Sequence, residues 1–237
     1  MVLQGAPDIV VELRHSGRAR RLNLRVSGLD GRVTLTLPRA VPLAEAMAFL
    51  HEKESWLRTA MNRTPKPVVV TAGTNLMMRG RPLPVYESRT IRHVIETDEA
   101  LLVPADPSGT RTAARLVAYL KASAQAELRP ASAEYAQSLG RQFSAISLRD
   151  TRSRWGSCTA QGRLMYSWRL IMAPPEVLRY VAAHEVAHLR HMDHSAAFWA
   201  TVETLMPEYQ QHRTWLRRHG ASLHAYCFSA RPRSEKG

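Results

Sequence analysis

The chain has 237 residues, 45% of them hydrophobic and 22% charged. That is the profile of a globular protein with enough apolar mass for one large core or two small ones. Its 33 basic and 20 acidic residues leave a net charge of +13, large for this length. No apolar run approaches the 18 or so residues of a membrane span, so no membrane association is expected. The start, MVLQGAPDIVVELRHSG, lacks the basic-then-apolar plan of a secretory signal. Two cysteines, Cys158 and Cys227, cannot build a disulfide framework and suit a reducing compartment, so a cytoplasmic location is expected.

The elements can be read in chain order. Residues 20–38 alternate: Leu22, Leu24 and Val26 share a face, Gly28-Leu29-Asp30-Gly31 offers turn chemistry, and Val33, Leu35 and Leu37 alternate with threonines. The pattern predicts a hairpin. Over 43–61 the period lengthens to that of a helix, with Leu43, Met47, Leu50, Leu57 and Met61 recurring, and Pro65 and Pro67 close it. Short apolar runs between 68 and 106, punctuated by Gly and Pro, predict a small β-meander. Residues 111–139 return to helix on a stripe of Leu116, Leu120 and Leu128, which Pro130 is expected to kink or split. Strands are expected over 144–150 and 163–170. Pro174 and Pro175 then suit the first turn of a helix running to about Met192, with two more helices near 195–205 and 207–219. The fold class is therefore α+β. The expected division is a β-rich N-terminal domain over 1–106, a second domain over 107–228, and a disordered polar tail over 229–237.

The chemistry is concentrated in VAAHEVAHLRHMDHSAAFW, residues 181–199. His184 and His188 are four apart and project from one helix face, a separation that lets two neutral imidazoles hold one Zn²⁺. Glu185 between them can reach water at the metal and take its proton. The helix is apolar nearly all round, so it is buried, and buried His and Glu side chains need partners; a metal satisfies them together. A catalytic zinc takes a third protein ligand. His191 and His194 both follow. His194 is favoured, because Asp193 tolerates a left-handed turn that would bring the chain back, and because zinc proteases of the His-Glu-x-x-His-x-x-Gly-x-x-His pattern use the same six-residue step.

Three further features make the stretch 153–199 distinctive: Arg154-Trp155-Gly156-Ser157-Cys158, the segment Trp168-Arg169-Leu170, and His194-Ser195-x-x-Phe198-Trp199. With the metal motif they closely resemble the YgjP-like family of zinc metallopeptidases, relatives of SprT-type proteases. The resemblance extends over about residues 10–220. It implies a zincin-like C-terminal metallopeptidase domain built on an active-site helix, with His184, His188 and His194 as metal ligands and Glu185 as the catalytic acid/base.

Other positions keep two readings. Arg154 either donates to a substrate carbonyl or oxyanion or pairs with a structural carboxylate such as Asp150. Phe198 and Trp199 read as core. Tyr166, Tyr180, Tyr209 and His212 are candidates for a transition-state hydrogen bond. The strand over 163–170 is a candidate edge for pairing with an extended peptide. The expected activity is peptide-bond hydrolysis with a peptide or protein as substrate. The rival is a basic, non-catalytic module that binds nucleic acid or another partner and uses zinc structurally. The positive charge also leaves open a contact with DNA or a DNA-bound protein, and the oligomeric state is not readable.

Overall fold

The computed structural model describes residues 1–5, 7–28, 31–62 and 64–229. Residues Leu29 and Asp30 of the expected turn, and the expected tail from 230 onward, lie outside them. The fold is α+β with a β-rich N-terminal half. It forms two compact units, Met1–Pro67 and Val68–Gly237.

The first unit is a four-stranded sheet with two helices. Its strands are β1 (Val2–Leu3), β2 (Ile9–Ser16), β3 (Asn23–Val26) and β4 (Val33–Pro38), in the order β1-β2-β4-β3. β3 and β4 form the expected antiparallel hairpin, with Leu24 opposite Leu35. Unforeseen is β2, which runs parallel to β4. The helical stretch divides at Lys53 into α1 (Leu43–Glu52) and α2 (Glu54–Asn62). Ile9, Val11, Leu35, Leu50 and Leu57 belong to a core of their own.

The second unit opens with β5 (Val68–Val69), β6 (Asn75–Met78), β7 (Arg81–Ser88), β8 (Ile95–Glu96) and β9 (Leu101–Pro104). The expected meander is more complex, because β6, β7, β9 and β8 lie in that order and β7 runs parallel to β9. β7 pairs with β6 through residues 81–84 and with β9 through 85–88. Pro82 and Pro84 therefore stand where the strand has one neighbour, the position in which a missing N–H is tolerated. Arg79 and Gly80, both at positive φ, make the tight β6–β7 turn. Their N–H groups donate to the carbonyls of Ile171 and Met172 at 2.9 and 3.1 Å.

These strands do not form a domain with the first 67 residues, as a division at 106 would require. Leu76, Met78, Val85, Leu101 and Val103 share one core with Leu116, Leu120 and Leu128. Those leucines lie on α3 (Thr112–Ser138), which continues through Pro130 without a break. Pro130 and Ala126, whose carbonyl loses its intrahelical donor, both face solvent, so the missing bond is not buried.

Next come β10 (Ala145–Arg149), β11 (Gly156–Cys158) and β12 (Arg163–Ser167). β12 is central: β10 runs parallel on one side and β11 antiparallel on the other. A 3-10 helix (Trp168–Met172) then leads into α4 (Pro175–Ala187), α5 (Ala196–Leu205) and α6 (Tyr209–Leu223). The last strand, β13 (Tyr226–Cys227), pairs in parallel with β5, where Val68 N–H donates to the Ala225 carbonyl at 2.9 Å and Val70 N–H to that of Cys227 at 3.0 Å.

Candidate metal centre

Helix α4 opens with Pro175 in its first turn and buries Val177, Leu178, Val181, Ala182, Ala183, Val186 and Ala187, the all-round apolar pattern expected of a core helix. It ends at Ala187, one turn sooner than its hydrophobic pattern predicts. Beyond it the N–H groups of Leu189 and Arg190 donate three residues back, to Val186 and Ala187. This tightening, rather than a left-handed residue, redirects the chain: Asp193 is not at positive φ, and Arg79 is the one non-glycine residue that is among the described residues. Asp193 instead accepts a hydrogen bond from Ser195 N–H at 3.4 Å. Ser195 caps α5 by accepting from Phe198 N–H.

The result gathers three imidazoles. One ligand atom from each of His184, His188 and His194 lies within 4.8 Å of the others, and the Nε2 atoms of His184 and His194 are 3.2 Å apart. Two nitrogens at 2.0–2.1 Å from a tetrahedral ion stand about 3.3–3.4 Å apart, so this pair has the spacing of two ligands of one small cation. His188 Nδ1 is 2.8 Å from the His191 carbonyl, which fixes the N–H there and leaves Nε2 with its lone pair. His191 thus contributes its backbone rather than its ring. The ring of Phe198, fully buried, lies 4.5–4.9 Å from all three imidazole centroids. Its core assignment holds, and it is the apolar floor under the histidines.

Burial, reinforced by His188, His194 and Arg213, holds His184 down to about 3. Burial also lowers His188. Both rings are therefore neutral near pH 7, the state a metal ligand requires. Glu185 is 5% exposed. Burial raises its carboxyl to about 8, and the charge of Arg154 opposes that rise. Gly156 of β11 lies directly against it: a Cβ there would be 2.5 Å from Glu185 Cγ and Oε1. The short strand β11 was not read from sequence, and neither was this role for Gly156.

A cleft of about 410 Å³ opens over these groups, with Arg154, Gly156, Cys158, Tyr180 and Leu216 among its walls. Asp150 is held by Arg169, whose Nε donates to Oδ1 at 2.6 Å and whose Nη2 donates to Oδ2 at 3.2 Å. Arg169 also donates to the carbonyls of Leu223 and Tyr226. Arg154 is exposed at the cleft and forms no ion pair among the described residues, which leaves it facing whatever enters. Of the candidate hydrogen-bond donors, Tyr166 is buried against Ser132 Oγ at 3.0 Å, and Tyr209 stacks on Trp199. Tyr180 alone of the four lines the cleft. Cys158 also lines it, its thiol pushed up to about 11 by burial and then by Glu185, which suits packing rather than nucleophilic chemistry. β12 is enclosed on both sides, so the strand whose edge faces outward beside the cleft is β11, not the predicted 163–170 segment.

The profile of the YgjP-like metallopeptidase domain matches residues 20–219. The chain belongs to the YgjP-like metallopeptidase family. No curated protein matches the chain. Among solved structures, the metallopeptidase zymogen of Pyrococcus abyssi abylysin is similar over 38% of this chain and 93% of that one, at 20% identity and a TM-score of 0.35. The family implies a divalent metal, and the three-histidine group, with His184 and His188 neutral and a metal-like nitrogen spacing, fits one. Among the described residues no helix is long and apolar enough to cross a membrane.

Proposed function

We propose that the protein is a zinc-dependent peptidase in which His184, His188 and His194 hold the metal and Glu185 is the general base. One observation carries the reading: the three ligand nitrogens converge within 4.8 Å beside a buried carboxyl that lines the same cleft. Zinc bound there would supply a Lewis acid that polarises the scissile carbonyl, acidifies water and favours the ionised form of Glu185. Glu185 takes the proton from the attacking water and returns it to the leaving amine. Its burial makes it a stronger base than an exposed carboxylate. Arg154 and Tyr180, which both line the cleft, would donate to the carbonyl oxygen as charge builds on it. β11 offers the substrate an edge for strand pairing.

The rival, a structural zinc in a binding module, calls for a fourth protein ligand. The group of candidate ligands contains three among the described residues.

The test pairs two variants. Glu185→Gln should keep about one zinc per chain and lose peptide hydrolysis, whereas His188→Ala should lose both. Hydrolysis retained by the Gln variant would overturn the assignment of the base. Failure of the wild-type chain to take up zinc would overturn the metal site.

A further inference from the structure

The sheet of β10, β12 and β11 has a second face that the proposed chemistry does not use. Along β12, Leu164 and Tyr166 are buried in the core, while Arg163 and Met165 turn the other way. On β10 the outward residues are Ala145, Ser147 and Arg149, all exposed. On β11 Ser157 stands opposite Met165, on this same face, while Gly156 and Cys158 stand opposite Tyr166 and Leu164 on the other. The outward residues line an open trough of about 550 Å³, and Ser157 borders both this trough and the metal cleft.

The electrostatics of the trough are one-sided. Arg149 and Arg163 line it and no acidic residue does. Neither arginine has an ion pair among the described residues. β11 is the terminal strand of the sheet, so a peptide paired along it would continue the pleat. Its side chains would then point alternately to the cleft side and to the trough side. An added strand lies two ladder spacings, about 10 Å, from Arg163 on β12 and three, about 14 Å, from Arg149 on β10. An arginine and a glutamate side chain fully extended toward each other can close either gap.

We propose that the trough is a subsite for acidic side chains, with Arg163 and Arg149 as specificity-determining residues: the substrate is an extended peptide carrying Asp or Glu at alternate positions beside β11. This rests on the peptidase reading above. The arginines sit on the face to which every second substrate side chain must point, and among the described residues nothing neutralises them.

The experiment uses the full chain with Glu185→Gln, incubated with zinc, so that peptide is bound rather than consumed. Two labelled peptides of equal length, one alternating Glu and Ala and the other Gln and Ala, are titrated by fluorescence anisotropy. The Glu peptide should bind about three- to tenfold more tightly, as two exposed ion pairs allow, and added salt should shrink the gap. Arg163→Glu combined with Arg149→Glu should invert the preference. The corresponding Gln pair should abolish it, with unchanged melting temperatures showing that each variant folds.

Equal affinities, or a preference that survives charge reversal, overturn the subsite. So does a single-stranded oligonucleotide that binds the trough when the acidic peptide does not. Digestion of a mixed peptide library by the wild-type chain separates the two levels of the argument. Cleavage without acidic bias leaves the peptidase and removes the subsite. Acid-selective binding without any cleavage keeps the subsite and removes the peptidase.

Discussion

Gly156 and Glu185 touch so closely that one has no side chain because the other is there. A methyl group at 156 would fall 2.5 Å from both Cγ and Oε1 of the glutamate, nearer than any non-bonded carbon approaches. Gly156→Ala should therefore displace the carboxyl while leaving the three histidines in place. Loss of peptide hydrolysis by about 100-fold, the scale of a 1 Å misplacement of a reacting group, with zinc content unchanged, is the expected result of paired kinetic and metal analyses.

Gly220 of α6 presents the same kind of contact, with Trp155 of the cleft wall. Inside a helix, Gly→Ala ordinarily gains about 1 kcal/mol. Here the new Cβ would meet Trp155 Cζ2 at 2.9 Å, and Trp155 is itself packed on the ring of His224, with centroids 4.8 Å apart. Urea denaturation of Gly220→Ala should show net destabilisation rather than the usual gain.

The Arg169–Asp150 pair should be worth more than a surface ion pair, because Arg169 is 7% exposed and also satisfies two backbone carbonyls. Asp150→Ala leaves that guanidinium buried with its charge uncompensated. A loss of about 3 kcal/mol, at the low end for breaking a buried pair because Asp150 is partly exposed, is expected from equilibrium unfolding.

Stability should fall as the medium is acidified, and His224 supplies an identifiable share. Burial and the charge of Arg169, with Arg152 adding and Asp150 opposing, hold its imidazole down to about 4 from an ordinary 6.5. Between those values the unfolded chain binds a proton that the folded chain refuses. The contribution is full above about pH 6.5 and is lost as pH falls toward 4, by about 2–3 kcal/mol. His224→Phe, which keeps a ring against Trp155, should flatten that part of the stability profile when the two proteins are unfolded across the range.

The grouping of the three histidines was legible because its information is local: His184 and His188 are one helical turn apart, Glu185 follows the first, and His194 lies ten residues beyond it. Helix α3 and the hairpin of β3 and β4 were legible for the same reason. What escaped depends on partners distant in the chain. The parallel pairing of β7 with β9, and of β2 with β4, leaves no signature in either strand. β11 has three residues, Gly-Ser-Cys, too few to show a period. The choice of Arg169 rather than Arg154 as the partner of Asp150 is decided by where the 3-10 helix delivers the guanidinium. The boundary between the units was misplaced because apolar alternation shows that a strand has a buried face without saying which core receives it.

Strands β5 and β13 bring the first residues of the second unit alongside residues close to the end of its described part, Val68 against Tyr226 and Val69 against Cys227. A unit whose two ends meet in adjacent strands behaves as a closed loop of chain. It can be opened at a surface turn and rejoined at Val68 and Cys227 by a short linker, or spliced whole into a loop of another protein, without being stretched. The second unit is in that sense portable, and circular permutants should retain its fold.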